Sequence, residues 1–87
     1  MSQIELYTTG QCPYCVRAKM LLQNKGVVWQ EIRVDQESAQ LQTMLQRSQR
    51  RTVPQIFIND QAIGGYDELA ALNRSGELDS LLAEDYD

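Results

Sequence analysis

Residues 3 to 15 read Gln3-Ile4-Glu5-Leu6-Tyr7-Thr8-Thr9-Gly10-Gln11-Cys12-Pro13-Tyr14-Cys15, and the change of rhythm within them decides the fold. From Gln3 to Thr8 apolar and polar residues alternate with β-branched and aromatic side chains, which predicts a strand running into a turn at Thr9-Gly10-Gln11. Pro13 suits the first turn of a helix, where its missing N–H leaves no bond unmade. Ala18, Leu21 and Leu22 then recur at helical spacing until Gly26 supplies a left-handed stop, so a helix is predicted over about residues 13 to 25. Cys12 therefore stands where a strand hands over to a helix.

Downstream, Val28, Ile32 and Val34 mark a second strand, and Ser38 is placed to cap a helix whose buried stripe is Leu41, Met44, Leu45 and Ser48. Trp29 falls in that strand and reads as a packing residue. Gln55-Ile56-Phe57-Ile58, the polar pair Asn59-Asp60 and Gln61-Ala62-Ile63-Gly64 form a β-hairpin by their spacing. A third helix after Gly64-Gly65 buries Leu69 and Leu72, breaks at Arg74-Ser75-Gly76, and leads to a last helix using Leu78, Leu81 and Leu82. The order β-α-β-α-β-β-α, flanked by helices, predicts an α/β fold with a mixed sheet.

At 87 residues with 43% apolar content, the chain is predicted to be one domain, residues 1 to 87, with one core. The net charge of −4 argues against a nucleic-acid partner, whose phosphates would call for clustered Lys and Arg. Seven basic and five acidic side chains in residues 1 to 65 give +2, whereas one basic and seven acidic in residues 66 to 87 give −6. Glu84-Asp85-Tyr86-Asp87 reads as a frayed, solvated tail. Met1-Ser2-Gln3 has no basic flank and Glu5 interrupts the apolar residues that follow, so no signal peptide is expected. No apolar run reaches membrane-spanning length, and a reducing cytoplasm is the expected compartment.

Cys12 and Cys15 are the only cysteines. Three positions apart at a helix start, their sulfur atoms can meet as a disulfide with little backbone movement, which makes a reversible two-electron couple. A loop this short adds little as a structural staple. The unpaired N–H groups and partial positive charge of a helix N-terminus favour a thiolate, lowering a thiol pKa from about 8.5 into the ~3.5 to 7.5 range. Cys12, at the cap, gains most and is the expected attacking thiolate; Cys15, inside the helix, is the expected resolving thiol. A closed zinc site needs four ligands, and with no His and no third Cys it would require a second protomer, so no metal is expected.

Three separated motifs, Cys12-Pro13-Tyr14-Cys15, Thr52-Val53-Pro54-Gln55-Ile56-Phe57-Ile58 and Gly64-Gly65-Tyr66-Asp67-Glu68-Leu69, closely resemble the dithiol glutaredoxins in order and spacing over nearly the whole chain. The resemblance implies a thioredoxin-like fold with a four-stranded mixed sheet. It implies a cis Pro54 facing the cysteines, with the backbone of Val53, beside Thr52, free to pair with a peptide-like ligand. It also implies that the γ-glutamyl end of glutathione binds at the helix start after Gly65, at Tyr66, with Asp67 taking the ammonium group. N-capping is a second role open to Asp67. Tyr14 is expected to be exposed, as an apolar wall beside the sulfurs. Arg47, Arg50 and Arg51 precede the Thr52 motif and are positioned in sequence to attract an anion; Arg51 is the candidate for the glycyl carboxylate. The chain departs from many relatives at Thr9, where lysine is common, and differs from thioredoxins at Gln11, where they carry tryptophan.

The activity so implied is glutathione-dependent reduction of glutathione mixed disulfides and protein disulfides by a monomer. Glutathione serves as cosubstrate, and no cofactor is tightly bound. Glutathione reductase and NADPH act indirectly, and disulfide-containing proteins, ribonucleotide reductase among them, are the substrates. Two other readings stand beside it. One is a redoxin served by thioredoxin reductase. The other is an iron–sulfur carrier in which two protomers hold a cluster through Cys12 and two glutathiones.

Overall fold

The computed structural model of the chain describes residues 2–84, so most of the expected tail, Asp85-Tyr86-Asp87, lies outside the described residues. Its organising strand is β1 (Ile4–Thr8), whose period-two pattern sends Ile4 and Leu6 to one face and Tyr7 to the other. It pairs in parallel with β2 (Gln30–Arg33) and antiparallel with β3 (Gln55–Ile58), which in turn pairs antiparallel with β4 (Gln61–Gly64). The result is the expected four-stranded mixed sheet, in the order β2-β1-β3-β4. Opposite residues include Leu6 with Ile56 and Tyr7 with Gln55.

Helices cover both faces. α1 (Pro13–Asn24), α3 (Tyr66–Ser75) and α4 (Glu77–Ala83) bury Ala18, Leu22, Leu69 and Leu78 against Ile4, Leu6, Ile56 and Ile58. α2 (Ser38–Ser48) lays Met44, with half-buried Leu41 and Leu45, on Tyr7, Val34 and Phe57. Each fully buried aliphatic side chain contributes roughly 1.5 to 3 kcal/mol relative to its exposed state. The hairpin turn places Asn59 and Asp60 at φ 53° and 64°, the left-handed pair that a two-residue turn between twisted strands requires. Gly26 ends the α1 region at φ +73°, as its position predicted.

Two local expectations need correction. Of the three residues read as marking the second strand only Ile32 lies in it: β2 ends at Arg33, just before buried Val34, and it begins at Gln30, after Val28, which is 76% exposed. In the irregular segment before β2, Val27 and Trp29 pack against the core while Val28 faces solvent. Trp29, expected within the strand, lies just before it and does pack. Ser38 does not cap α2. The N-cap is Glu37, which keeps extended angles and makes no side-chain cap bond, and Ser38 is already the first helical residue.

Candidate active site

The turn after β1 delivers Cys12 to the N-cap of α1, with Pro13 in the first turn where no N–H is needed. Cys12 keeps extended angles, φ −140° and ψ 102°, so its sulfur folds back over the helix start and lies 3.1 Å from the backbone nitrogen of Cys15. The two cysteines are joined as a disulfide, their Cα atoms 5.1 Å apart. Cys12 is half-exposed and Cys15 is 1% exposed. Incoming groups therefore meet the Cys12 sulfur first. No acidic side chain lies in the first turn of α1 to oppose a thiolate there.

Across from the pair, the Val53–Pro54 peptide is cis, and Pro54 is buried at the entry to β3. The Val53 carbonyl oxygen lies 3.7 Å from the Cys12 sulfur. That sulfur carries no proton in the disulfide, so the approach is proximity rather than a hydrogen bond. Among the described residues the Val53 N–H donates to no protein acceptor. Gln55 fixes this segment: its side chain is buried, and its amide donates to the Thr52 carbonyl at 2.8 Å and to the Thr52 hydroxyl oxygen at 3.2 Å. A buried amide placed this way satisfies itself only if the loop keeps its shape.

The other wall is the start of α3. Gly65 is its N-cap, and Asp67 and Glu68 lie in its first turn. Capping falls to Glu68, whose carboxylate accepts the Gly65 N–H at 2.6 Å and an Arg50 N–H at 3.1 Å. The capping role considered for Asp67 is thus taken by Glu68, because a residue three positions past the cap can reach back to the cap N–H. The Gly65 N–H, with Arg50 beside it, holds the Glu68 carboxyl below the usual carboxylate range. This corner requires Gly64: its φ is +113°, and a Cβ there would sit 2.5 Å from the Glu68 carboxylate.

Tyr14, Thr52, Val53, Pro54, Gly65, Tyr66 and Asp67 converge on one groove of about 310 Å3, which Arg50 and Glu68 also line. Tyr14 is 52% exposed, and its ring lies 6.3 Å from that of Tyr66. The structure thus brings together most of the residues singled out from sequence. Arg51 is exposed and does not line the groove. Arg47 is turned elsewhere, bonded to Glu5 and Tyr7. A larger depression of about 550 Å3 between β4, α3 and α4 has no thiol in its lining, so size does not identify the site.

Three supports were not read from sequence. Gln55 and Glu68 lie inside quoted motifs, and the spacing of a glycine followed three residues later by glutamate was a legible capping signal for the latter. The third is Asp35, which accepts the Gly10 N–H at 3.0 Å and pairs with Arg33 at 2.8 Å. The Arg33 guanidinium, and secondarily the Gly10 N–H, hold its carboxyl far below the usual carboxylate range. This clamp fixes the loop ahead of Cys12, and the guanidinium lies so close over Gly10 that a Cβ would clash with it.

Comparison with known proteins agrees with this geometry. The glutaredoxin family model matches residues 4–63. The chain is 54% identical over 82 residues to "Glutaredoxin 3" of Escherichia coli K12, covering 94% of this chain and 99% of that one. The buckwheat glutaredoxin–glutathione complex superposes with a TM-score of 0.85 at 34% identity, over 93% of this chain and 76% of that one. The solution structure of glutaredoxin from Brucella melitensis gives 0.81 at 46% identity, over 92% and 87%. With a disulfide-linked Cys12–Cys15 at the head of α1 and a thioredoxin-like sheet behind it, the chain belongs to the glutaredoxin family, in its dithiol form.

Proposed function

We propose that the chain is a glutathione–disulfide oxidoreductase that works through Cys12 and Cys15 and takes glutathione as cosubstrate in a reducing cytoplasm. The observation that carries the reading is the redox pair itself: a half-exposed sulfur at a helix N-terminus, bonded to a buried one and opening beside a peptide-sized groove.

On a glutathione mixed disulfide, the Cys12 thiolate attacks the glutathionyl sulfur, a Cys12–glutathione bond forms, and the substrate thiolate leaves and takes a proton. A second glutathione thiolate attacks that bond, releasing glutathione disulfide and regenerating Cys12. On a protein disulfide, Cys12 attacks one sulfur and the other leaves as thiolate. Cys15 then displaces the substrate and closes the Cys12–Cys15 bond, which two glutathiones reopen. Glutathione reductase and NADPH recycle the glutathione disulfide. Disulfide-containing proteins, ribonucleotide reductase among them, are the assigned substrates.

For glutathione, the Val53 backbone offers the strand-like pairing edge, Thr52 and Pro54 shape it, and Tyr14 and Tyr66 supply apolar walls. The Tyr66–Asp67 turn offers free N–H groups to the γ-glutamyl carboxylate while the exposed Asp67 takes the ammonium. Arg51 is assigned the glycyl carboxylate because, unlike Arg47 and Arg50, it has no carboxylate partner among the described residues. NADPH-coupled reduction of a small mixed disulfide is the test. Turnover with glutathione plus glutathione reductase supports the reading, and turnover only with thioredoxin reductase overturns it.

A further inference from the structure

Helix α1 buries Cys15, Ala18 and Leu22. Tyr14, Arg17, Met20 and Asn24 follow at steps of three and four residues and share a different, exposed face. Met20 is 58% exposed there, an apolar side chain left in water with no core to join. Arg17, Met20, Leu21 and Asn24 form a shallow depression of about 270 Å3 closed on one side by Tyr66. Tyr66 also lines the groove beside Val53, and its ring neighbours that of Tyr14. The depression is therefore a continuation of the redox groove past an aromatic wall shared by both. Met20 lies about 9 Å along the helix from Tyr14, a span that about three extended residues cover.

Charge distinguishes this face. Lys19, Lys25, Arg33, Arg47 and Arg50 each have a carboxylate partner. Arg17, Arg51 and Arg74 have none among the described residues, and of these three Arg17 is the one whose guanidinium rests over a groove aromatic, 5.1 Å from the Tyr14 ring centroid. An unpaired cation flanked by an adaptable methionine and two aromatic rings suits an acidic, apolar partner.

We propose that this α1 face docks disulfide-bearing substrate proteins that carry an acidic and an apolar side chain within a few residues of the reacting cysteine. The proposal rests on the redox assignment of Cys12 and Cys15. The acidic group pairs with Arg17, and the apolar one fills the depression between Met20, Leu21 and Tyr66. Neither Arg17 nor Met20 lines the glutathione groove, so a small glutathione disulfide gains nothing from them.

The test uses the full chain with two disulfide peptides of identical core, one flanked by Glu and Leu and one by Lys and Ser, together with a small glutathione mixed disulfide. Wild type is expected to prefer the Glu/Leu peptide by about three- to tenfold in kcat/KM at low ionic strength, chiefly through KM. Arg17→Glu reverses that preference. Met20→Ser lowers turnover of the Glu/Leu peptide without changing its salt dependence. Both variants reduce the small disulfide at the wild-type rate. Equal treatment of the two peptides by wild type overturns the proposal, as does a proportional loss on the small disulfide in either variant. Failure of wild type to reduce the small disulfide with glutathione sinks the redox assignment itself and the docking proposal with it.

Discussion

The backbone N–H of Cys15 points at the sulfur of Cys12 from 3.1 Å, across the first turn of α1. A donor held there by the helix stabilises a negative sulfur more than a protonated one. In the reduced chain, Cys12 is expected to titrate well below the ordinary thiol value of about 8.5, whereas buried Cys15 is not. Alkylation rate against pH, measured on Cys15→Ser so that one thiol reports, checks this. An inflection at the ordinary value removes the proposed activation.

The unequal exposure of the two sulfurs separates their roles. Cys15→Ser is expected to keep turnover of small glutathione mixed disulfides and to lose at least about tenfold on protein disulfides, the factor that 1.4 kcal/mol of barrier represents. Cys12→Ser abolishes both. Parallel steady-state assays on the two substrate types decide; equal losses in Cys15→Ser contradict the division.

Glutathione binding is expected to respond to charge in the groove at Asp67 and beside it at Arg51. Asp67→Ala and Arg51→Ala should each raise KM for glutathione several-fold at low salt, and Thr9→Lys should lower it, since an exposed charged contact is worth about 0.2 to 1 kcal/mol. High salt shrinks all three effects. If Arg51→Ala leaves KM unchanged while Asp67→Ala raises it, the glycyl carboxylate is solvated and not held by Arg51.

Acid sensitivity should depend on Glu68. Its carboxyl is depressed in the folded chain, first by the Gly65 N–H and then by Arg50. The folded state therefore binds this proton less readily than the unfolded chain. The contribution is fully present above the unfolded value of about 4.3 and is lost as pH falls through the lower folded value. Glu68→Gln is expected to cost about 0.3 to 1 kcal/mol at neutral pH and to flatten the decline of stability in the acid limb. Urea midpoints at pH 7 and below pH 4 measure it; parallel curves for the two proteins would show that Glu68 is not a source of the decline.

Packing predicts a contrast between two aliphatic residues near the start and end of one connection. Leu22, fully buried under β1, is expected to cost about 2 to 5 kcal/mol as Leu22→Ala. Val28→Ala, outside the ladder, should stay within about 0.5 kcal/mol. Denaturant unfolding of both variants tests whether Val28, unlike its neighbours Val27 and Trp29, stands outside the core.

Local pattern determined a large part of this protein. The alternation through Ile4–Thr8, the proline after Cys12 and the two-residue Asn59-Asp60 turn each rest on near-neighbour sterics and hydrogen bonding, so β1, α1 and the hairpin were legible from sequence. Cysteine spacing likewise placed both thiols at one helix start. Tertiary structure decided what depends on distant partners. Val28 and Ser38 have the residue types of a strand and a cap, yet where the β1 ladder begins and where Glu37 stops being extended set their roles. That Arg47 and Arg50 are engaged while Arg51 is not was settled by Glu5 and Glu68, residues 42 and 18 positions away from the arginines they engage. Asp35 meets Gly10 only because β2 lies beside β1. A side chain's partner across the fold is fixed by packing in three dimensions, and no local periodicity encodes it.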